Sequence, residues 1–151
     1  MTAILIDLDG ALGDTRSLWH DWLTESAVLL GVDASQLAGD RADAAAELDA
    51  AGAGNWRTLL ERFAEERAPV YLRPAADAGA ALRRLEAANA TVGVFTDAPV
   101  ELARVALAQL GAARRVAALE TGHGALERLQ DILGPGAPIA RTREELVRAA
   151  P

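Results

Sequence analysis

Two carboxylates, Asp7 and Asp9, stand one residue apart at the end of the apolar run Ala3-Ile4-Leu5-Ile6, and Gly10 follows directly. A short apolar run stopped by a glycine turn reads as a buried parallel strand, so both acids are expected at its carboxyl end, facing one crevice while Leu8 faces elsewhere. Carboxylates held that close repel each other. A magnesium ion on Asp7 and Asp9 would relieve the repulsion, leaving one carboxylate to attack phosphorus and the other to shuttle a proton. The plainer alternative is an Asp-x-Asp-Gly that only ends a strand and makes a turn.

The elements that must position these acids follow in order along the chain. Helical periodicity predicts helices over Ser17 to Leu30, Arg41 to Ala51 and Trp56 to Glu66, punctuated by Gly31, Gly39 and Gly52-Ala53-Gly54. A helix from Pro74 to about Ala87 then precedes a second β-rich run, Thr91 to Thr96, ending at Asp97. Pro99 to Leu110 reads as a helix, Val116 to Leu119 as a strand, Ala125 to Leu133 as a helix and Pro138 to Ala140 as a fourth strand. Alternating strands and helices imply an α/β fold with a doubly wound parallel sheet, whose ligands bind outside the carboxyl ends of the strands. The expected division is a core of residues 1–14 and 71–151 with a helical insertion at 15–70.

Composition narrows the chemistry further. The 151 residues, 51% of them hydrophobic, suffice for one domain with a real interior. A net charge of −7 and arginines interspersed with acids argue against a nucleic-acid partner. No apolar stretch is long enough to span a bilayer, and Met1 leads straight into the first strand, so no membrane association and a cytoplasmic location are expected. The chain contains neither cysteine nor lysine. Thiolate nucleophiles, Schiff-base chemistry and a phosphate-neutralising lysine are therefore excluded.

The stretch Asp7-Leu8-Asp9-Gly10-Ala11-Leu12-Gly13-Asp14-Thr15 resembles the first signature of the haloacid dehalogenase-like hydrolases, with Ala11 in place of threonine. Val94-Phe95-Thr96-Asp97-Ala98-Pro99 is similar to the second signature, and the helices between the two resemble the family's small cap. The resemblance, nearest to phosphoglycolate-phosphatase-like members, implies a magnesium-dependent phosphatase of small phosphorylated molecules. Asp7 would be the nucleophile and Asp9 the general acid and base. Thr96 would hydrogen-bond the phosphoryl group, with Gly10, Asp97 and Ala98 supplying the turns around it. A second acid at Asp9 favours phosphate esters over haloacids, because an expelled halide needs no proton.

The last forty residues depart from that pattern. Where the family carries its lysine, the nearest residue is His123, a shorter side chain that is mostly neutral at pH 7, and a turn role is the competing reading. Where it carries the outer acidic metal ligand, the chain reads Ile139-Ala140-Arg141-Thr142-Arg143-Glu144-Glu145. Arg141 is thus a candidate for binding phosphate directly, while Glu144 and Glu145 read as the start of a helix. These departures imply reduced activity or, alternatively, a binding or regulatory protein without catalysis. A receiver-like signalling domain fits badly, since it too needs a lysine and has no such insertion. Trp19, Trp22 and Trp56 read as the core of the insertion, His20 and Asp21 as facing different sides of a helix, and Arg16 as the insertion residue nearest the signature.

Overall fold

The computed structural model describes residues 2–151. Four parallel strands, β1 (Ala3–Asp7), β2 (Thr91–Thr96), β3 (Ala118–Thr121) and β4 (Ile139–Ala140), form one sheet in the order β3-β2-β1-β4. Central β1 pairs Leu5 with both Gly93 and Ile139 and sets Asp7 beside Phe95. Both faces of β1 are covered, which is why its sequence is a continuous apolar run rather than an alternating one. Ile4 and Ile6 enter one core cluster with Leu85, Leu107 and Leu146. Leu5 enters another with Phe95, Ala125 and Leu129.

Seven α-helices are found among the described residues: α1 (Arg16–Leu30), α2 (Arg41–Ala50), α3 (Trp56–Tyr71), α4 (Ala76–Ala87), α5 (Val100–Gln109), α6 (Ala125–Leu133) and α7 (Arg143–Ala149). The first three lie between β1 and α4 and gather around the three tryptophans, Leu18, Leu48 and Leu60. That cluster also takes in Ala98 and Leu102. The sheet and the inserted helices are thereby joined through the turn after β2 and the start of α5. No helix among the described residues is long and apolar enough to cross a membrane.

Three elements differ from the sequence reading by two residues or more, each for a tertiary reason. Helix α3 runs on to Tyr71 through Pro69, because Ala68 and Leu72 are both buried and the Leu72 N–H still reaches the Ala68 carbonyl at 2.8 Å. Helix α4 starts at Ala76, two residues after Pro74, with Ala75 extended at ψ 132°. Strand β3 begins at Ala118 rather than Val116, because a tight turn at Ala113–Arg115 delays pairing until Ala118 meets Gly93. As an edge strand carrying Glu120 and Thr121, β3 lacks the apolar run that marks β1 and β2.

Gly93 in β2 has no side chain because α6 lies directly over it. A Cβ there would come within 2.5 Å of a Leu133 methyl and 2.9 Å of a Leu129 methyl. Gly93→Ala is expected to destabilise the fold by about 1–3 kcal/mol through overpacking, read as a lower urea midpoint at unchanged slope.

Candidate functional site

The carboxyl ends of β1 and β2 bring Asp7, Asp9, Thr96 and Asp97 to one crevice, as expected for a parallel sheet. Beyond Asp7 the chain makes one wide turn, Leu8–Leu12, closed by the Gly13 N–H on the Leu8 carbonyl at 3.1 Å. Gly10 sits in this turn at φ 117°, where a Cβ would lie 2.5 Å from the Arg141 carbonyl oxygen. Its requirement is therefore close backbone approach. The Gly10 N–H is spent on the Gly13 carbonyl at 2.7 Å, so in this arrangement Gly10 shapes the turn and its amide is not turned toward a phosphate. The Ala98 N–H likewise bonds the Thr96 hydroxyl at 3.2 Å within its own turn.

The residue that organises the crevice is one the sequence reading passed over. Arg41, the first residue of α2, is only 4% exposed and reaches into the strand ends. Its Nη2 lies 2.5 Å from Asp9 Oδ2 and 2.7 Å from Asp97 Oδ1, and its Nη1 donates to the Thr15 hydroxyl at 2.6 Å. The Arg41 backbone N–H adds a bond to Asp97 Oδ2 at 3.2 Å. Thr15, fully buried, donates both its N–H and its hydroxyl to Asp9 Oδ1 at 2.7 Å, and the Thr96 hydroxyl donates to Asp9 Oδ2 at 2.9 Å. Arg16, the insertion residue singled out from the sequence, pairs instead with Asp14 at the surface.

Asp7 keeps a freer carboxylate. Its Oδ1 accepts the Asp9 N–H at 3.1 Å, and Arg141 Nη1 stands 3.9 Å from its Oδ2. The Arg141 guanidinium also lies 5.5 Å from the centroid of the Phe95 ring, close enough for a cation–π contact. Burial first, then the neighbouring Asp9 charge, push the Asp7 carboxyl up to about 6, against the opposing pull of the Asp9 N–H and Arg141. Burial also pushes Asp97 upward, but the hydrogen bond and charge of Arg41 outweigh it and hold that carboxyl below its ordinary value. The same acids raise Arg41 despite its burial.

As arranged, the donor set does not fit a resident magnesium ion, against the expectation of one on Asp7 and Asp9. Four protein donors take both oxygens of Asp9, and a guanidinium stands beside Asp7. Glu145, in the late segment, turns its Oε2 onto the Arg141 backbone N–H at 2.7 Å. His123 is not where a lysine substitute would be needed: its Nε2 pairs with Asp43 on α2, at the surface. Asp40, Asp43 and His123, all exposed, are the described side chains whose ligand atoms could share a cation.

Two cavities flank the Arg41–Asp97 pair. One of about 330 Å³ is lined by Trp19, His20, Leu23, Leu37 and both residues of the pair. The other, about 270 Å³, lies between α2, Asp97 and His123. Each is at the small end of the range for small-molecule sites.

No protein-family model matches the chain, and no curated protein matches it in sequence. In shape it superposes on the crystal structure of a Thermotoga maritima protein assigned as a beta-phosphoglucomutase, at 17% identity over 99% of this chain and 82% of that one, with a TM-score of 0.54. At that identity the likeness is one of fold, and the haloacid dehalogenase-like fold implied by the motifs is the fold observed. A dehalogenase crystallised with an intermediate complex overlaps more loosely, at 15% identity over 89% of this chain and 72% of that one, with a TM-score of 0.45.

Two stability predictions follow from the charges. Arg41→Ala leaves Asp9 buried without its cation and is expected to cost about 3–5 kcal/mol in chemical denaturation. The Asp7 carboxyl binds its proton more tightly folded, near 6, than at its ordinary 3.8, so native stability falls as pH rises from about 4 through 6 and then levels. Asp7→Asn removes that penalty. It is expected to match the wild type near pH 4 and to be more stable by about 1–3 kcal/mol above pH 6, measured by urea unfolding across that range.

Proposed function

We propose that the chain is a hydrolase of small phosphate monoesters, built on the haloacid dehalogenase-like fold, with Asp7 as its nucleophile. The observation that carries this reading is the meeting, at the ends of β1 and β2, of a half-buried carboxylate, a second acid, a hydroxyl and two guanidinium groups. Asp7 is anionic at neutral pH yet only partly solvated, a condition that favours nucleophilic attack. One of its oxygens would attack phosphorus as the ester O–P bond breaks. The departing alkoxide takes a proton from Asp9. Water then cleaves the aspartyl-phosphate, returning a proton to Asp9, releasing inorganic phosphate and restoring Asp7.

In this reading the described arrangement is the resting one. Asp9 can carry a proton for the leaving group only after Arg41 releases Oδ2, and phosphoryl oxygens are the natural competitor for that guanidinium. The Thr96 hydroxyl would turn from Asp9 to the same group. Within the inserted cap of residues 15–70, α2 with Arg41 at its start would be the part that moves, with Gly39 before it and Gly52 and Gly54 after it, the last two at φ 63°, as the joints. The flanking cavities suit a small metabolite as the leaving group. Phosphoryl transfer depends on stabilising developing charge, so a centre without lysine is expected to turn over slowly.

A second reading, an anion-binding domain without catalysis, is favoured by one observation: every Asp9 oxygen is already engaged. Phosphate release from a panel of small phosphate esters separates the two. The hydrolase reading expects slow release by the wild type and a loss of about a hundredfold or more in Asp7→Asn, with Arg141→Ala about tenfold slower. Release no faster than that of Asp7→Asn, with inorganic phosphate still bound, selects the second reading.

A further inference from the structure

The crevice sets three carboxylates, Asp7, Asp9 and Asp97, against two guanidinium groups, Arg41 and Arg141. We propose that these two guanidiniums are its resident cations, so that the centre is electrostatically complete without a divalent metal ion. The inference concerns the same crevice as the hydrolase reading, and where it speaks of turnover it rests on that reading.

A guanidinium keeps its charge at any physiological pH and offers its donors in a fixed planar fork. Arg41 uses that fork as a bridging cation would, with Nη2 within 2.7 Å of oxygens on both Asp9 and Asp97. The bridge joins acids that come from the exits of two different strands. Arg141 stands at the third acid, held on one side by the Phe95 ring and on the other by the backbone contact of its carbonyl with Gly10. The carboxylates that would otherwise need a metal thus already face positive charge.

Entry of a divalent ion would be opposed on three counts. Magnesium demands near-octahedral oxygen coordination and keeps several waters. Asp9 has no free oxygen to give it, and of the two late acids Glu145 binds the Arg141 N–H while Glu144 lines a separate cavity with Asp77 and Arg148. Displacing Arg41 would strip a buried guanidinium of its partners. If the crevice turns over a phosphate ester, Arg41 passes from Asp9 to the phosphoryl oxygens, supplying the charge otherwise expected of a metal.

The test is ion binding rather than activity: calorimetric titration of Mn²⁺ and Mg²⁺ into the full chain, with Asp7→Asn as the reference for the crevice. The exposed Asp40, Asp43 and His123 trio can bind ions weakly, so only the Asp7-dependent part of the signal counts. The wild type is expected to show no Asp7-dependent site at low millimolar ion. Arg41→Gln is expected to gain Asp7-dependent Mn²⁺ affinity by at least about tenfold, since Asp9 and Asp97 lose their bridging cation beside Asp7. Arg141→Glu, at an exposed side chain that leaves the core untouched, is expected to gain it as well. A saturable, Asp7-dependent Mg²⁺ or Mn²⁺ site in the wild type overturns the proposal. So does the absence of any gain in Arg141→Glu and in folded Arg41→Gln. Phosphate release in the presence of a chelator keeps the two readings apart. Turnover that requires Mg²⁺ sinks the inference and leaves the hydrolase standing, whereas no turnover under any condition sinks the hydrolase while the titration still decides the inference.

Discussion

A buried guanidinium cannot shed its proton, so Arg41 must be matched by acceptors wherever the fold carries it. Its acceptors come from two separate exits of the sheet: Asp9 and Thr15 on the loop after β1, Thr96 and Asp97 at the end of β2. Because α2 begins at Arg41, this one side chain fixes where the second inserted helix meets the strand ends. The apolar contribution of α2 is modest, confined to alanines and Leu48. A buried ion pair is seldom a large net source of stability compared with a well-packed hydrophobic replacement, but it is demanding about geometry. Here it acts chiefly as a locator.

The counterpart on the other edge is made by backbone rather than charge. Gly10 lets the loop after β1 lie against the Arg141 carbonyl, and Gly13 lets the same loop pack under Leu110 and Leu72. The Arg141 main chain is therefore placed beside the loop by a contact between backbones, and its side chain reaches to 3.9 Å from Asp7. Charge on one flank and steric fit on the other frame Asp7. Neither requires the sheet to be large, which suits a fold whose fourth strand contributes only Ile139 and Ala140.

Much of this was legible in the residues. The strands β1 and β2 announce themselves because they are buried on both faces, and Asp7, Asp9, Thr96 and Asp97 follow because parallel strands expose their carboxyl ends together. Arg141 was found by its place at the end of the last strand. What escaped was Arg41, since an arginine at the first residue of an alanine-rich helix has the same local signature as a solvated one. Only the tertiary path, which brings positions 41 and 97 together, distinguishes them. Of the two readings of His123, the turn is the one observed: the loop before α6 holds it outward against Asp43, although its position along the chain also suggested the crevice. Strand β3 was displaced by two residues because an edge strand need not be apolar, and hydrophobic pattern was the only signal available for it.

The three indoles of the chain, Trp19, Trp22 and Trp56, all lie in the inserted helices, with ring centroids 5.2 to 6.4 Å apart, and none is in the sheet. The ultraviolet emission of this protein is therefore a local instrument, blind to the strands that carry Asp7 and Asp97. Its wavelength reports the solvation of one helical cluster, and excitonic coupling among rings this close gives that cluster its own near-ultraviolet dichroism. A departure of the helical layer from an intact sheet would register in the optical spectrum as a change of colour without loss of secondary structure. Spectroscopy alone can thus follow the inserted helices separately from the sheet, with no label added.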